Sequence, residues 1–440
     1  MSRLNEPTNE ASAMQKEISD IAEQGGGRAT KVEQLIQQYC PDGVEYKPLG
    51  EVCDFRNGFA FKSNLFTDEG CPIIRITNIS ENNVDMSDLK YFHMEDYPKS
   101  DLSQFAIKKG DILVAMSGAT TGKIGTYKGN ITAYLNQRTG KFEPKESLNN
   151  RFLYHFLQTQ VSNMYKMAGG GAQPNLSSND LKSKIVIPVP PLPVQEEIVR
   201  ILDSFTELQA ELQAELQKRL QQYNYYRDNL LSFEGRTDVE WKKLGDVATV
   251  TKLAGFEFSE YMRYSETGSI IALRGLNVKN GSLDLSDVKY IDKSNFSKLS
   301  RSKLYINDML YTYVGTVGQV ALVDENDKYY LAPNVALIRL SDSNILPKFL
   351  TYFFLTDGFK RSQVDVLAAS SSMKNITMEK IRLFKVPFIP VSEQQKIVDI
   401  LDRFDKLTTD ITAGLPAEIE ARRKQYEYYR DQLLTFKQKA

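Results

Sequence analysis

PVQEEIVRILDSF at residues 193–205 returns as SEQQKIVDILDRF at 392–404, 199 positions later. Farther along each copy, QYNYYRDNLLSF at 222–233 returns as QYEYYRDQLLTF at 425–436, 203 positions later, so the later copy carries four extra residues between its ends. Upstream, VEYKPLGEV at 44–52 matches VEWKKLGDV at 239–247. Between these anchors KKGDILVAMSG (108–118) parallels YINDMLYTYVG (305–315), and FLYHFL (152–157) parallels FLTYFF (349–354). A period near 200 residues far exceeds the roughly 20–50 residues of a solenoid unit. It predicts two whole globular domains, each followed by a helical segment.

The two parts of each copy differ in pattern. Residues 44–190 and 234–387 hold short β-branched and aromatic runs such as PIIRITNI, DILVAM, DMLYTYV and VALIRL, broken by Gly, Asn and Asp clusters. That pattern predicts β-rich domains with a few helices. Residues 191–233 instead place Ile201, Phe205, Leu208, Leu212, Leu216, Leu220, Tyr223 and Leu230 at helical steps among charged and Gln residues, the signature of an amphipathic helix. Pro188, Pro190, Pro191 and Pro193 suit its first turn and not its interior. The second segment, 388–440, repeats the apolar face through Ile397, Leu401, Phe404, Leu407 and Ile411, and Gly414-Leu415-Pro416 interrupts it. The reading is an α+β chain with two similar β-rich domains separated by two long helical segments. These are expected to pack as an antiparallel intramolecular coiled coil with pseudo-two-fold symmetry. Residues 1–43 form a leader in which Gly25-Gly26-Gly27 precedes a short helix around VEQLIQQY.

Composition narrows the class. The 440 residues are 41% hydrophobic and 25% charged with a net charge of −1, which excludes wholesale disorder and a histone-like basic chain. No apolar run approaches a membrane span, and the N-terminal MSRLNEPTNE lacks an apolar signal core. Three cysteines, Cys40, Cys53 and Cys71, and two histidines, His93 and His155, make neither a disulfide framework nor a zinc site. A reducing cytoplasm fits best.

The order of variable domain, IVxILD helix ending QYxYYRDxLL, second variable domain and second helix resembles the specificity subunit of type I restriction–modification systems. The resemblance spans residue 30 to the C-terminus. It implies that residues 44–190 and 234–387 are target recognition domains, each reading one half of a split DNA sequence. It implies that the helices at 191–233 and 388–440 separate those domains and dock two methyltransferase (modification) subunits, joined by restriction (translocase/nuclease) subunits. It also implies that this chain is not catalytic and holds no cofactor, with S-adenosylmethionine, ATP and Mg²⁺ belonging to the partners. The chief rival is a stand-alone DNA methyltransferase or nuclease with fused recognition domains, and a second is a coiled-coil scaffold that reads no sequence. Against the first, no Asn/Asp-Pro-Pro-aromatic tetrapeptide and no strand-linked GxGxxG are present. GATTGKI at 118–124 has the wrong glycine spacing for a phosphate loop and no hydroxyl after its lysine.

Base edges in the major groove are best read by Arg, Lys, Asn and Gln. In the first domain the candidates are Lys62 and Ser63, Arg75 after an apolar run, Lys123, the Asn136-Gln137-Arg138 triplet, and Gln173 and Asn175 in a glycine-rich stretch. In the second they are Ser259, Arg274, Gln319, Asn334, Ser372, Lys374 and Asn375. Lys+Arg exceed Asp+Glu by two in 44–190 and by three in 234–387, while 191–233 is at −3 and 388–440 at zero. Positive charge is thus enriched where phosphates would be met. Tyr225, Tyr226, Arg227 and their repeats Tyr428, Tyr429, Arg430 are the candidate partner-docking surface, since Tyr and Arg are favoured interface anchors. Arg227 and Asp228, being adjacent, are expected to leave the helix in different directions.

Overall fold

The computed structural model describes residues 31–439 apart from 81, 170–173, 369–374 and 410–413. The chain divides into two units, one of residues 1–212 with 419–440 and one of 213–418. The first unit opens with the Lys31–Tyr39 helix, close to where the sequence places it. Its recognition domain has a six-stranded sheet in the order Cys53–Asn57, Thr139–Pro144, Ile112–Ala115, Ile124–Thr126, Asn82–Val84 and Ile79–Ser80. A four-stranded sheet of Lys90–Phe92, Cys71–Ile74, Ala133–Leu135 and Ala106–Ile107 completes it. Helix α1 (Asn150–Thr159) begins at an Asn149 cap whose Oδ1 accepts from the Arg151 and Phe152 N–H groups, satisfying donors that a helix start leaves open. Its residues from Phe152 to Leu157 are buried. Helix α2 (Leu192–Leu230) then runs 39 residues without a break, about 58 Å at 1.5 Å per residue.

In the second unit the scheme repeats. Ala248–Lys252, Val335–Leu340, Met309–Thr312 and Val320–Leu322 form one sheet, and Lys289–Tyr290, Ile271–Leu273 and Tyr329–Leu331 another. Helix α3 (Pro347–Phe354) takes the place of α1. Helix α4 (Val391–Thr409) ends before Gly414, and helix α5 (Leu415–Leu433) begins directly after it with Pro416 in its first turn.

The units cut across the sequence repeat. The first half of α2 packs with α5 in the first unit, where Phe205 stacks on Tyr429 at 5.3 Å between ring centroids. The second half packs with α4 in the other unit, where Tyr226 stacks on Phe404 at 5.5 Å. Each recognition domain therefore rests on one helix from each segment. In the first unit the C-terminal residues close the domain: Val44 N–H donates to Lys437 O, and Lys439 N–H donates to Val44 O. Gly43 makes that approach possible with φ +108°, since a Cβ there would meet Lys437 O at 2.7 Å.

Two glutamines bolt the helices to the domains. Gln195, fully buried, accepts from Asn149 N–H at 2.8 Å and donates to Ser147 O at 2.9 Å and Pro190 O at 2.7 Å. Gln394, 199 positions on, accepts from Leu346 N–H at 2.8 Å and donates to Asn344 O at 2.7 Å and Ile389 O at 2.8 Å. Gln394→Ala strands the Leu346 N–H, which is half-buried, and two carbonyls. It is expected to cost about 2–4 kcal/mol, read as a fall in the thermal unfolding midpoint. An unchanged midpoint would count against the bolt.

Candidate nucleic-acid interface

In each recognition domain the ends of three strands bring short loops together. In the second domain these are the loop after Met309–Thr312, the Ala332-Pro333-Asn334 turn before Val335–Leu340, and Arg274 following Ile271–Leu273. With the Val278–Lys279/Ser282–Leu283 hairpin they enclose an open cleft of about 800 Å³ lined by Arg274, Lys279, Asn280, Gln319 and Asn334. In the first domain the loops after Ile112–Ala115 and Ala133–Leu135, with Asn57 and residues 174–178, form a cleft of about 560 Å³ lined by Asn57, Ser117, Gln137, Arg138, Asn175 and Ser178, and Arg75 does not line it. An isolated bridge recurs at the same step of each domain, Ser117 to Asn175 in one and Val314 to Asn375 in the other; Asn375 does not line the second cleft. Ser117 Oγ is buried and has no partner among the described residues.

The two arginines sit in a duplicated clamp. Arg75 N–H donates to Asn78 Oδ1 at 3.0 Å, and Asn78 Nδ2 donates to the carbonyls of Asp85 and Asp88. Arg75 Nη2 donates to Asp88 through its carbonyl at 3.3 Å and its carboxylate at 3.4 Å. Arg274, Asn277, Asp284 and Asp287 repeat every one of these contacts. Asn78 and Asn277 are 2% and 0% exposed, so a buried amide fixes each arginine's backbone N–H, while its guanidinium reaches the exposed Asp88 or Asp287. Both Nε atoms are buried without a partner among the described residues. Asp284 is held well below the usual carboxylate range by hydrogen bonds from Lys279 and Ser286. Burial raises the Tyr264 phenol, which also lines this cleft.

The structure gathers some of the expected readers and leaves others apart. Gln137, Arg138 and Asn175 line the first cleft, and Arg274, Gln319 and Asn334 line the second. Asn136 is half-buried, its carbonyl accepting from Thr139 N–H. Lys123, half-buried, does not line the cleft. Lys62 and Ser63 are exposed, and Lys62 N–H donates to Tyr97 Oη beside an aromatic cluster of Phe59, Phe61, Phe92 and Tyr97. Ser259 Oγ donates to carbonyls of its own helix. Gln173, Ser372 and Lys374 lie outside the described residues. Reading the sequence singles out the Asn57–Ser63 stretch but misses Ser117, Ser178, Lys279 and Asn280. The clamp, however, leaves a signal: Arg, Asn, Asp and Asp recur at identical spacing in both copies.

The tyrosine motifs divide by direction. Tyr225 and Tyr428 are 67% and 62% exposed. Tyr226 and Tyr429, by contrast, stack on Phe404 and Phe205. The arginines are drawn inward. Arg227 Nε donates to Asp228 Oδ1 at 2.9 Å and its guanidinium lies over Tyr223 at 5.7 Å. Arg430 does the same with Asp431 at 2.9 Å and Tyr426 at 5.6 Å. Arg227 and Asp228 thus do not part company: packing of the arginine stem on the tyrosine ring turns its head back onto the neighbouring carboxylate.

The buried tyrosines are latches. Tyr426 Oη lies 2.9 Å from His155 Nδ1, and His155 Nε2 lies 2.8 Å from Asp203 Oδ1, which also accepts from Arg151. Helices α1, α2 and α5 are thereby tied at one point. In the other unit Tyr352 Oη donates to Asp402 at 2.7 Å from the His155 position. Burial lowers His155, keeping it neutral, and raises Tyr426. Burial would raise Asp203, but hydrogen bonds from His155 and Arg151 hold it below its ordinary value. Tyr223 is pushed up to about 12, chiefly by burial. Neither histidine belongs to a metal cluster, since among the described residues no three His, Cys, Asp or Glu side chains gather. No described helix is long and apolar enough to cross a membrane.

Known proteins share this layout. A family model described as the type I restriction modification DNA specificity domain matches twice, over residues 41–222 and 237–421. The chain is 30% identical over 406 residues to a Haemophilus influenzae protein described as a type I restriction enzyme specificity subunit, covering 89% of this chain and 96% of that one. The EcoR124I/EcoR124II specificity subunit of Escherichia coli is 36% identical over 296 residues, covering 65% and 70%. Among solved structures, a type I restriction–modification S subunit from M. genitalium aligns with a TM-score of 0.51 at 14% identity, covering 89% of this chain and 96% of that one. A chain from a structure on assembly and conformational transition of the type I R-M system gives 0.55 at 15% identity, covering 89% and 97%.

Proposed function

The chain belongs to the type I restriction–modification specificity family, and from that premise we propose that it reads a gapped DNA sequence, one half-site per β-rich domain, while partner subunits perform the chemistry. The observation that carries this reading is one scaffold bearing two different sets of side chains. The same strands and the same arginine clamp recur in each domain, yet Gln137, Arg138 and Asn175 line one cleft and Arg274, Lys279, Gln319 and Asn334 the other. Two related platforms with unlike loops suit two unlike half-sites. Base edges supply the sequence information, and phosphate contacts from the modest positive excess of both domains set register.

On this reading the exposed Tyr225 and Tyr428 anchor two methyltransferase subunits, with restriction subunits joining that core in the cytoplasm. S-adenosylmethionine, ATP and Mg²⁺ act in those partners, and the chain contributes no catalytic group. Purified alone, the chain should leave DNA unmethylated. With its modification subunit and S-adenosylmethionine, it should give methylation at one gapped sequence. A Tyr225→Ala/Tyr428→Ala chain should lose assembly by about 100-fold, the scale of two tyrosine anchors, with its thermal unfolding unchanged. Methylation by the chain alone would overturn the reading.

A further inference from the structure

An Asn-Gly pair in the second recognition domain decides which end of a glutamine amide faces a ligand. Val278–Lys279 and Ser282–Leu283 form a hairpin whose loop residues Asn280 and Gly281 have φ of 46° and 93°. Asn-Gly is the sequence best suited to such a left-handed two-residue turn. The Asn280 N–H donates out of the turn to Gln319 Oε1 at 3.3 Å. The Gln319 backbone is fixed too: its N–H donates to Thr312 Oγ1 at 2.9 Å, and its carbonyl accepts from Thr312 N–H at 2.9 Å. Thr312, 2% exposed, passes its own hydroxyl proton to Thr316 O. With Oε1 occupied, the free end of Gln319 is Nε2, which only donates. Arg274, anchored through Nη2 on Asp287, lines the same cleft and also only donates.

Resting on the reading of this domain as a half-site reader, we propose that its cleft recognises a guanine, with Gln319 as the reading residue and Asn280 as its positioning residue. Guanine offers two adjacent acceptors, N7 and O6, in the major groove. Adenine would set its N6 donor against the Gln319 donor, and cytosine offers a donor alone.

The test uses the full chain with its modification subunit, mapping methylated sites across a host genome. The half-site that changes when residues 234–387 are exchanged should contain a fixed guanine. Replacing N7 of that guanine by carbon in a duplex should weaken binding by the wild-type complex about 10-fold. Gln319→Glu keeps the acceptor for Asn280 but turns an acceptor into the cleft. It should exchange guanine for cytosine at that one position and leave the other half-site untouched. A half-site with no guanine, full affinity for the N7-deleted duplex, or an unchanged preference in Gln319→Glu would overturn the proposal. Failure of the underlying reading looks different: exchanging 234–387 would then alter neither half-site.

Discussion

Inserting one more Gln-Ala-Glu-Leu unit after Leu216 should abolish methylation at the native target and create it at a target whose gap is one or two base pairs wider. Residues 209–220 read QAEL-QAEL-QKRL and lie wholly within α2. The boundary between the two units, Leu212/Gln213, falls inside this repeat. None of these twelve residues is buried, whereas burial is complete at Phe205 and Leu208 before them and resumes at Tyr223 after them. Leu212 packs at the edge of the first unit's core, so the insertion is placed beyond it, where residues 213–220 are unburied. Four residues add about 6 Å and turn the helix about 40° beyond a full turn. DNA advances about 3.4 Å and 34° per base pair. The half-site sequences should stay the same, because neither cleft is touched. Genome-wide mapping of methylated positions reads both properties at once. A fixed gap with altered half-sites would show that α2 does not set the spacing.

The repeat made much of the architecture legible. Two β-rich domains and two helical segments follow from apolar periodicity and punctuation, and the structure has that architecture. Less legible was the partnership of helices. An amphipathic face shows that α2 is covered but not by what, so its division between two units could not be read from its own sequence. The tyrosine motif had the same limit. Tyr225, Tyr226 and Arg227 are consecutive, and only tertiary packing on Phe404 and Tyr223 decides which one stays outside. Gln195 and Gln394 were visible as a matched pair but read as polar filler. That an amide inside an otherwise solvated helix face is fully buried follows from three loop groups needing partners there. The clefts were partly legible. Loop residues with base-reading chemistry could be named, but strand ends distant in sequence had to converge before Asn57, Ser117 and Ser178 joined Arg138 and Asn175.

Replacing residues 44–190 with the corresponding domain of a relative that methylates a different sequence tests the central claim most directly. The two-stranded pairing of Tyr46–Pro48 with Val186–Pro188 closes the base of this domain, so an exchange at those limits carries its sheets and cleft as one piece. The helices α2, α4 and α5, with Tyr225 and Tyr428, stay in place, and partner assembly should be unaffected. A methylome of a host expressing this chimaera with the modification subunit should show one half-site replaced by the donor's, and the other half-site and the gap unchanged. Methylation that keeps both original half-sites after the exchange would contradict the account.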